Sequence, residues 1–69
     1  MVISDFTKYE LNHFREYCNF VGIENQVFEL RSQGVTLEEI SERLSMSVEG
    51  IKRISRKVNR KISTVLNYQ

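Results

Sequence analysis

The sequence predicts an all-α fold, a small bundle of four helices that contains a helix-turn-helix. Apolar residues recur at helical spacing in four segments, helix-capping residues precede these segments, and the chain contains no proline. A chain of 69 residues has room for one domain, 1–69, with a core of marginal size.

The first helix is expected over about 7–18. Thr7 is followed three residues later by Glu10, the spacing of a capping box. Six of the chain's seven aromatic residues precede residue 29. We expect these aromatics to pack in the core, and a recognition surface for another protein is the alternative.

The second helix is expected over about 23–33. Ile23, Val27 and Leu30 lie at positions i, i+4 and i+7, which places them on one helix face. Gly34 follows this periodic segment, where a glycine commonly adopts the left-handed conformation that ends a helix.

The next two helices form the predicted helix-turn-helix, 36–62. The first of them begins at Thr36, whose pairing with Glu39 repeats the capping box, and it ends by Leu44. A short turn follows and ends in Ser47, which is placed to cap the last helix.

The last helix has an apolar edge and an opposite charged face at a spacing of about 100° per residue. The apolar edge comprises Ile51, Ile54, Val58, Ile62 and Val65. The charged face comprises Glu49, Lys52, Arg53, Arg56 and Arg60. A solvated helix face usually alternates in sign, so this run of bases favours contact with DNA over plain solvation.

Charge is divided unevenly along the chain. Residues 1–47 carry four bases and eight acids, a net charge of −4, whereas residues 48–69 carry six bases and one acid, a net charge of +5. Clustered bases are typical of surfaces that bind polyanions, because phosphate binding releases counterions.

Several classes of protein are not expected. Cys18 is the only cysteine and His13 the only histidine, so we interpret them as a small core thiol and a surface imidazole, with no disulfide, metal or cofactor. No catalytic cluster of titratable groups is evident, and an enzyme is not expected. The N-terminus lacks a signal-peptide pattern and no apolar run approaches a membrane span, which indicates a cytoplasmic protein.

From Val27 to Ile62, the sequence VFELRSQGVTLEEISERLSMSVEGIKRISRKVNRKI resembles the helix-turn-helix of LuxR-type regulators and of sigma factor region 4. It shares their apolar helix, glycine, capped helix, serine cap and closing Arg-Lys-aliphatic sequence. Two positions depart from the pattern. Gly50 stands where these families usually carry threonine or a basic residue, and Ser45 occupies a turn position often given to glycine.

The resemblance implies a sequence-specific regulator of transcription that binds double-stranded DNA and whose last helix is the recognition helix. We expect a small repressor or autoregulator, because the sequence shows no ligand-sensing or receiver domain. The implied base-reading residues are Glu49, Lys52 and Arg53, with Arg56 one turn further along. The expected phosphate contacts are Thr36, Ser47, Lys57, Arg60 and Lys61. The alternative is an inhibitor or adaptor that uses the same scaffold to bind RNA polymerase or another nucleic-acid enzyme.

Apolar residues continue into the C-terminal tail, 63–69. We expect them to form either a two-fold interface in a homodimer or a contact with the first helix, and the sequence favours neither. The residues of this possible interface are Ile62, Val65, Leu66 and Tyr68.

Overall fold

Four α-helices follow a short 3-10 turn in the structure, a computed structural model that describes residues 2–67. The 3-10 turn is Ile3–Asp5, and the helices are α1 (Lys8–Tyr17), α2 (Ile23–Ser32), α3 (Leu37–Arg43) and α4 (Val48–Asn67). No strand occurs within the described range. The predicted all-α bundle of four helices is confirmed, and α4 extends through most of the predicted tail.

The two predicted capping boxes differ in completeness. At α1 the Glu10 N–H donates to Thr7 Oγ1 over 3.1 Å, and the Thr7 N–H donates to Glu10 Oε1 over 2.8 Å. At α3 the Glu39 N–H donates to Thr36 Oγ1 over 3.2 Å, but the Glu39 carboxylate pairs with Arg43 at 3.0 Å. The prediction of a reciprocal bond in the second capping box is therefore wrong, because Arg43, one turn further along α3, binds the Glu39 carboxylate.

Glycines make the two turns that flank α2. Gly34 has a φ of +84°, the left-handed conformation predicted for it. Gly22 combines a φ of +56° with a ψ of −121°, and the Glu24 N–H closes this turn on the Val21 carbonyl over 3.1 Å. A residue with a side chain would be strained in this backbone conformation, so the turn that leads into α2 favours glycine at position 22.

Helix α4 belongs to both apolar clusters of the bundle. The larger cluster contains Ile3, Phe14, Cys18, Phe28, Val58 and Ile62. The smaller cluster contains Val27, Ile40 and Ile51. Ile54 packs against both clusters. Helices α1, α2 and α3, which we call the supporting helices, are therefore held together by their contacts with the buried side of α4.

The aromatic residues of the first half divide between core and surface. Phe14 and Phe28 are fully buried, and the half-buried phenylalanines pack against the same cluster. Tyr9 and Tyr17, however, are 82% and 59% exposed. The prediction of core packing is correct for the phenylalanines and wrong for these two tyrosines, because α1 packs against α4 through one side only.

Length and apolar character decide whether a helix can span a membrane. Among residues 2–67, no helix combines the length and the apolar character needed to span a membrane.

Candidate nucleic-acid interface

The turn between α3 and α4 sets where the last helix begins. The Gly50 N–H donates to Ser47 Oγ over 3.1 Å, and the Ile51 N–H donates to the Ser47 carbonyl over 3.1 Å. The Met46 N–H donates to the Ser41 carbonyl over 2.9 Å, which ties the turn back to α3. Ser47 is thus the N-cap of α4. Together with the Met46 bond, this cap fixes where α4 starts relative to α3.

The basic side of α4 points away from the body of the bundle. Ile51, Val58 and Ile62 are fully buried, so the rotation of the helix about its axis is fixed by packing. The side chains on the opposite side are exposed, and we call them the outward face. The outward face comprises Glu49, Lys52, Arg53, Arg56, Lys57 and Arg60.

Two of the four bases on the supporting helices α1, α2 and α3 form ion pairs within residues 2–67. Arg15 makes a two-pronged ion pair with Glu29, with Nε 2.6 Å from one carboxylate oxygen and Nη2 2.9 Å from the other. Arg43 pairs with Glu39 at 3.0 Å. The three helices together carry four bases and seven acids, so acidic charge predominates on them.

The arginines of the outward face are in a different state. Within residues 2–67, no hydrogen bond or ion pair engages the guanidinium groups of Arg53, Arg56 and Arg60. Each guanidinium carries five N–H donors and a permanent positive charge. Three sets of unused donors therefore point in one direction from a rigid helix.

The other members of the outward face are weakly tied. Lys52 Nζ lies 3.8 Å from Glu49 Oε1, and the Glu49 side chain is 81% exposed. An exposed pair at this separation contributes little free energy and is easily exchanged for another partner. Both side chains remain available to a ligand.

Lys61 is engaged within the chain. Its ammonium donates to the Asn19 carbonyl over 2.9 Å and to the Glu24 carboxylate. The hydrogen bond from Lys61, with a further one from the Val21 N–H, lowers the pKa of Glu24. Lys61 therefore fastens the α1–α2 loop to α4 and lies off the outward face, apart from Lys57 and Arg60, the other basic residues predicted to contact phosphates. Glu24 is 37 positions away in the chain, so no local pattern signals this contact.

The two capping hydroxyls predicted to meet phosphates lie at separate helix ends. Thr36 begins α3 and Ser47 begins α4, and both residues are exposed. Each oxygen accepts one capping hydrogen bond and retains its own O–H for donation. Only Ser47 belongs to the element that carries the outward face.

Gly50 faces the turn instead of the outward face. A Cβ at this position would lie 3.2 Å from Ser47 Oγ and 3.5 Å from the terminal methyl of Met46. A side chain here would require the Ser47 hydroxyl to shift by a few tenths of an ångström. Glu10 and Glu39 carry side chains at the same position relative to their capping hydroxyls, so this contact does not explain the departure from the helix-turn-helix pattern at Gly50.

The residues predicted as a dimer interface separate in the structure. Ile62 is fully buried and Val65 packs against the larger core cluster, so both belong mainly to the chain's own core. Leu66 is 37% exposed and lines a shallow groove with Tyr9 of α1. Tyr68 lies outside the described residues. Val65 and Leu66 of the tail thus lie against the side of the bundle that holds α1, and Leu66 is the interface candidate that remains accessible.

The described part of the chain contains no cluster of three or more histidine, cysteine, aspartate or glutamate side chains arranged to hold a metal ion. Cys18 is buried, and this burial raises the pKa of its thiol. It serves as a small apolar core residue, as the sequence indicates.

Comparisons of the chain with protein-family models, with curated protein sequences and with solved structures gave no match.

Proposed function

We propose that this protein is a sequence-specific regulator of transcription that binds double-stranded DNA and acts as a small repressor or autoregulator. In this proposal α3 and α4 work as a helix-turn-helix, and α4 enters the major groove. The observation that carries the proposal is the outward face, where Arg53, Arg56 and Arg60 are exposed and have no partner within residues 2–67.

The chemistry of the outward face suits a DNA groove. The major groove is about 12 Å wide and admits an α-helix. An arginine there donates two hydrogen bonds to guanine O6 and N7, and a glutamate such as Glu49 accepts from a cytosine amino group. Repression then requires only that the protein occupies its site and excludes other proteins from it.

Acidic residues on the supporting helices favour one orientation of the protein on DNA, with the outward face of α4 toward the duplex. Glu38 and Glu42 are exposed on α3 and would repel phosphates. The paired bases of α1 and α3 offer little compensation. The duplex is therefore drawn to α4 alone.

A test compares Arg53→Ala with Lys8→Ala, which removes one positive charge from exposed α1. Fluorescence anisotropy measures binding of each variant to duplex DNA at low and moderate salt. We expect the loss of Arg53 to weaken binding to the preferred site by roughly 1–3 kcal/mol and the loss of Lys8 to have little effect. Equal binding by both variants would remove α4 from the proposal.

The exposed tyrosines of α1 favour a second function, an inhibitor or adaptor that binds RNA polymerase or another nucleic-acid enzyme. Tyr9 and Tyr17 offer aromatic area of the kind enriched at protein interfaces. The same anisotropy measurement separates the two functions. Absence of duplex binding at low salt supports the inhibitor, and a steep loss of binding with salt supports the regulator.

Two copies acting together suit the small size of the outward face. Five basic side chains on α4 can neutralise only a few phosphates, so one copy binds DNA weakly. We therefore propose a homodimer on a symmetric site, with Leu66 and Tyr9 as the accessible apolar residues nearest the end of α4.

A further inference from the structure

We infer, on the basis of the proposed DNA-binding function, that sequence is read by one straight row of side chains along α4. This central row comprises Glu49, Arg53, Arg56 and Arg60. Lys52 and Lys57 lie on either side of it, and we call them the flanking lysines. Arg60 thereby becomes a specificity-determining residue and Lys52 a phosphate contact, which exchanges the roles that the resemblance implies for them.

The angular positions of these residues support the assignment. At about 100° per residue, the members of the central row fall within about 60° of one another. The flanking lysines lie about 70° from the centre of that row, one on each side. Ile51 and Val58 are fully buried on the opposite side of the helix, so the central row points straight away from the bundle.

Neighbouring charges distinguish the two flanks. Lys57 lies on the side of α2, where its positive charge contributes to lowering the pKa of Glu24. Lys52 lies on the other side, with its ammonium 3.8 Å from Glu49. The two positive flanks are thus held apart by the width of the helix.

A helix seated in the major groove presents its centre to base edges and its sides to the two phosphate backbones. From Arg53 to Arg60 the helix rises about 10 Å, or about three base-pair steps of 3.4 Å. The central row can therefore reach guanines about three base pairs apart. Each flanking lysine meets one backbone as a point charge, which positions the helix without reading sequence.

The test selects bound sequences from a random duplex pool with the wild-type chain, Arg60→Lys and Lys52→Ala. Arg60→Lys keeps the charge but removes the two-pronged donor. We expect it to change the selected base at one end of the site and to bind the wild-type site roughly 5- to 150-fold more weakly. We expect Lys52→Ala to select the wild-type sequence while it binds all duplexes more weakly. Selection of the wild-type sequence by Arg60→Lys would overturn the inference.

A modified base gives a second measurement. Replacing the guanine at the affected position with 7-deazaguanine removes the N7 acceptor, which we expect to weaken binding by the wild-type chain and to leave Arg60→Lys almost unaffected. Equal weakening of both proteins would contradict the contact. Failure of the wild-type chain to bind any duplex, or binding without sequence preference, would overturn the proposed function itself. Sequence-specific binding in which Arg60→Lys selects the wild-type site would overturn only the assignment of Arg60 to the central row.

Discussion

Ser45 has the least favourable backbone conformation of the turn that precedes α4. Its φ is +54°, in the left-handed region that residues with a Cβ rarely adopt. The sequence points to this position, because helix-turn-helix families often carry glycine there. Substitution tests whether the turn stores strain.

We expect Ser45→Gly to raise the free energy of unfolding by roughly 0.5–1 kcal/mol. The left-handed conformation costs a residue with a Cβ about 1–2 kcal/mol, and the greater flexibility of glycine in the unfolded chain offsets part of the gain. Urea denaturation followed by circular dichroism measures the change.

Ser63→Gly is the matched control for this substitution. Ser63 is exposed on α4, and no hydrogen bond of its side chain is found within residues 2–67. Glycine there lowers helix propensity, so we expect a loss of roughly 0.5 kcal/mol. A loss of stability in Ser45→Gly as well would mean that the turn is unstrained.

The helices themselves could largely be predicted from local chemistry. The Thr7–Glu10 spacing marks the start of α1, Gly34 marks the end of α2, and the opposed faces of α4 place its buried side. These signals depend on residues within one or two turns of each other. Local periodicity is therefore sufficient to predict the fold class and to identify the residues of the outward face.

Contacts between distant segments could not be predicted in the same way. The 3-10 turn Ile3–Asp5 is too short to show a period, although Ile3 is buried in the larger cluster. The bond from Lys61 to Glu24 and the exposure of Tyr9 both depend on how α1 and α2 pack against α4. Such packing is decided by the whole set of side chains and has no signature in spacing.

The contacts that join α1, α2 and α4 include two carboxylates that favour the folded state when ionised. The hydrogen bond from Lys61 lowers the pKa of Glu24 below its ordinary value of 4.5, and the hydrogen bond from Arg15 likewise lowers the pKa of Glu29. A carboxylate of lowered pKa binds fewer protons in the folded chain than in the unfolded chain. Its stabilising contribution is present above its ordinary pKa and is lost as pH falls through the folded-state pKa.

We therefore expect the free energy of unfolding to fall as pH drops below the ordinary carboxyl pKa of 4.5. Glu24→Gln should reduce this pH dependence, because one of the two carboxylates no longer titrates. Urea denaturation between neutral pH and about pH 3 measures both curves.

Glu16→Gln is the control for the pH measurement. Glu16 is exposed on α1, and no ion pair of its carboxylate is found within the described residues. We expect this variant to follow the wild-type curve. Identical curves for the wild-type chain and Glu24→Gln would show that the Lys61 contact does not stabilise the loop.

The whole molecule is electrically lopsided despite a net charge of +1. Acidic residues dominate the supporting helices, whereas the uncompensated bases lie along one side of α4. In the proposed function this asymmetry limits each copy to one way of approaching a duplex, and it also limits how many counterions each copy releases.

The salt dependence of binding reports the number of copies on DNA. The outward face holds five basic side chains, so one copy gives a slope of log K against log salt no steeper than about −4.5. We expect a slope within this limit on a duplex with one half-site. On a duplex with two inverted half-sites about 34–36 Å apart, we expect a steeper slope.

Lys57→Ala calibrates the measurement, because it removes one flanking charge and leaves the central row intact. We expect its slope to be shallower by about 1 on the single half-site and by about 2 on the paired half-sites. Sedimentation of each complex then counts the copies directly. Binding of one copy to both duplexes, with equal slopes, would rule out the homodimer. A single chain would then bind DNA through α4 without a second copy.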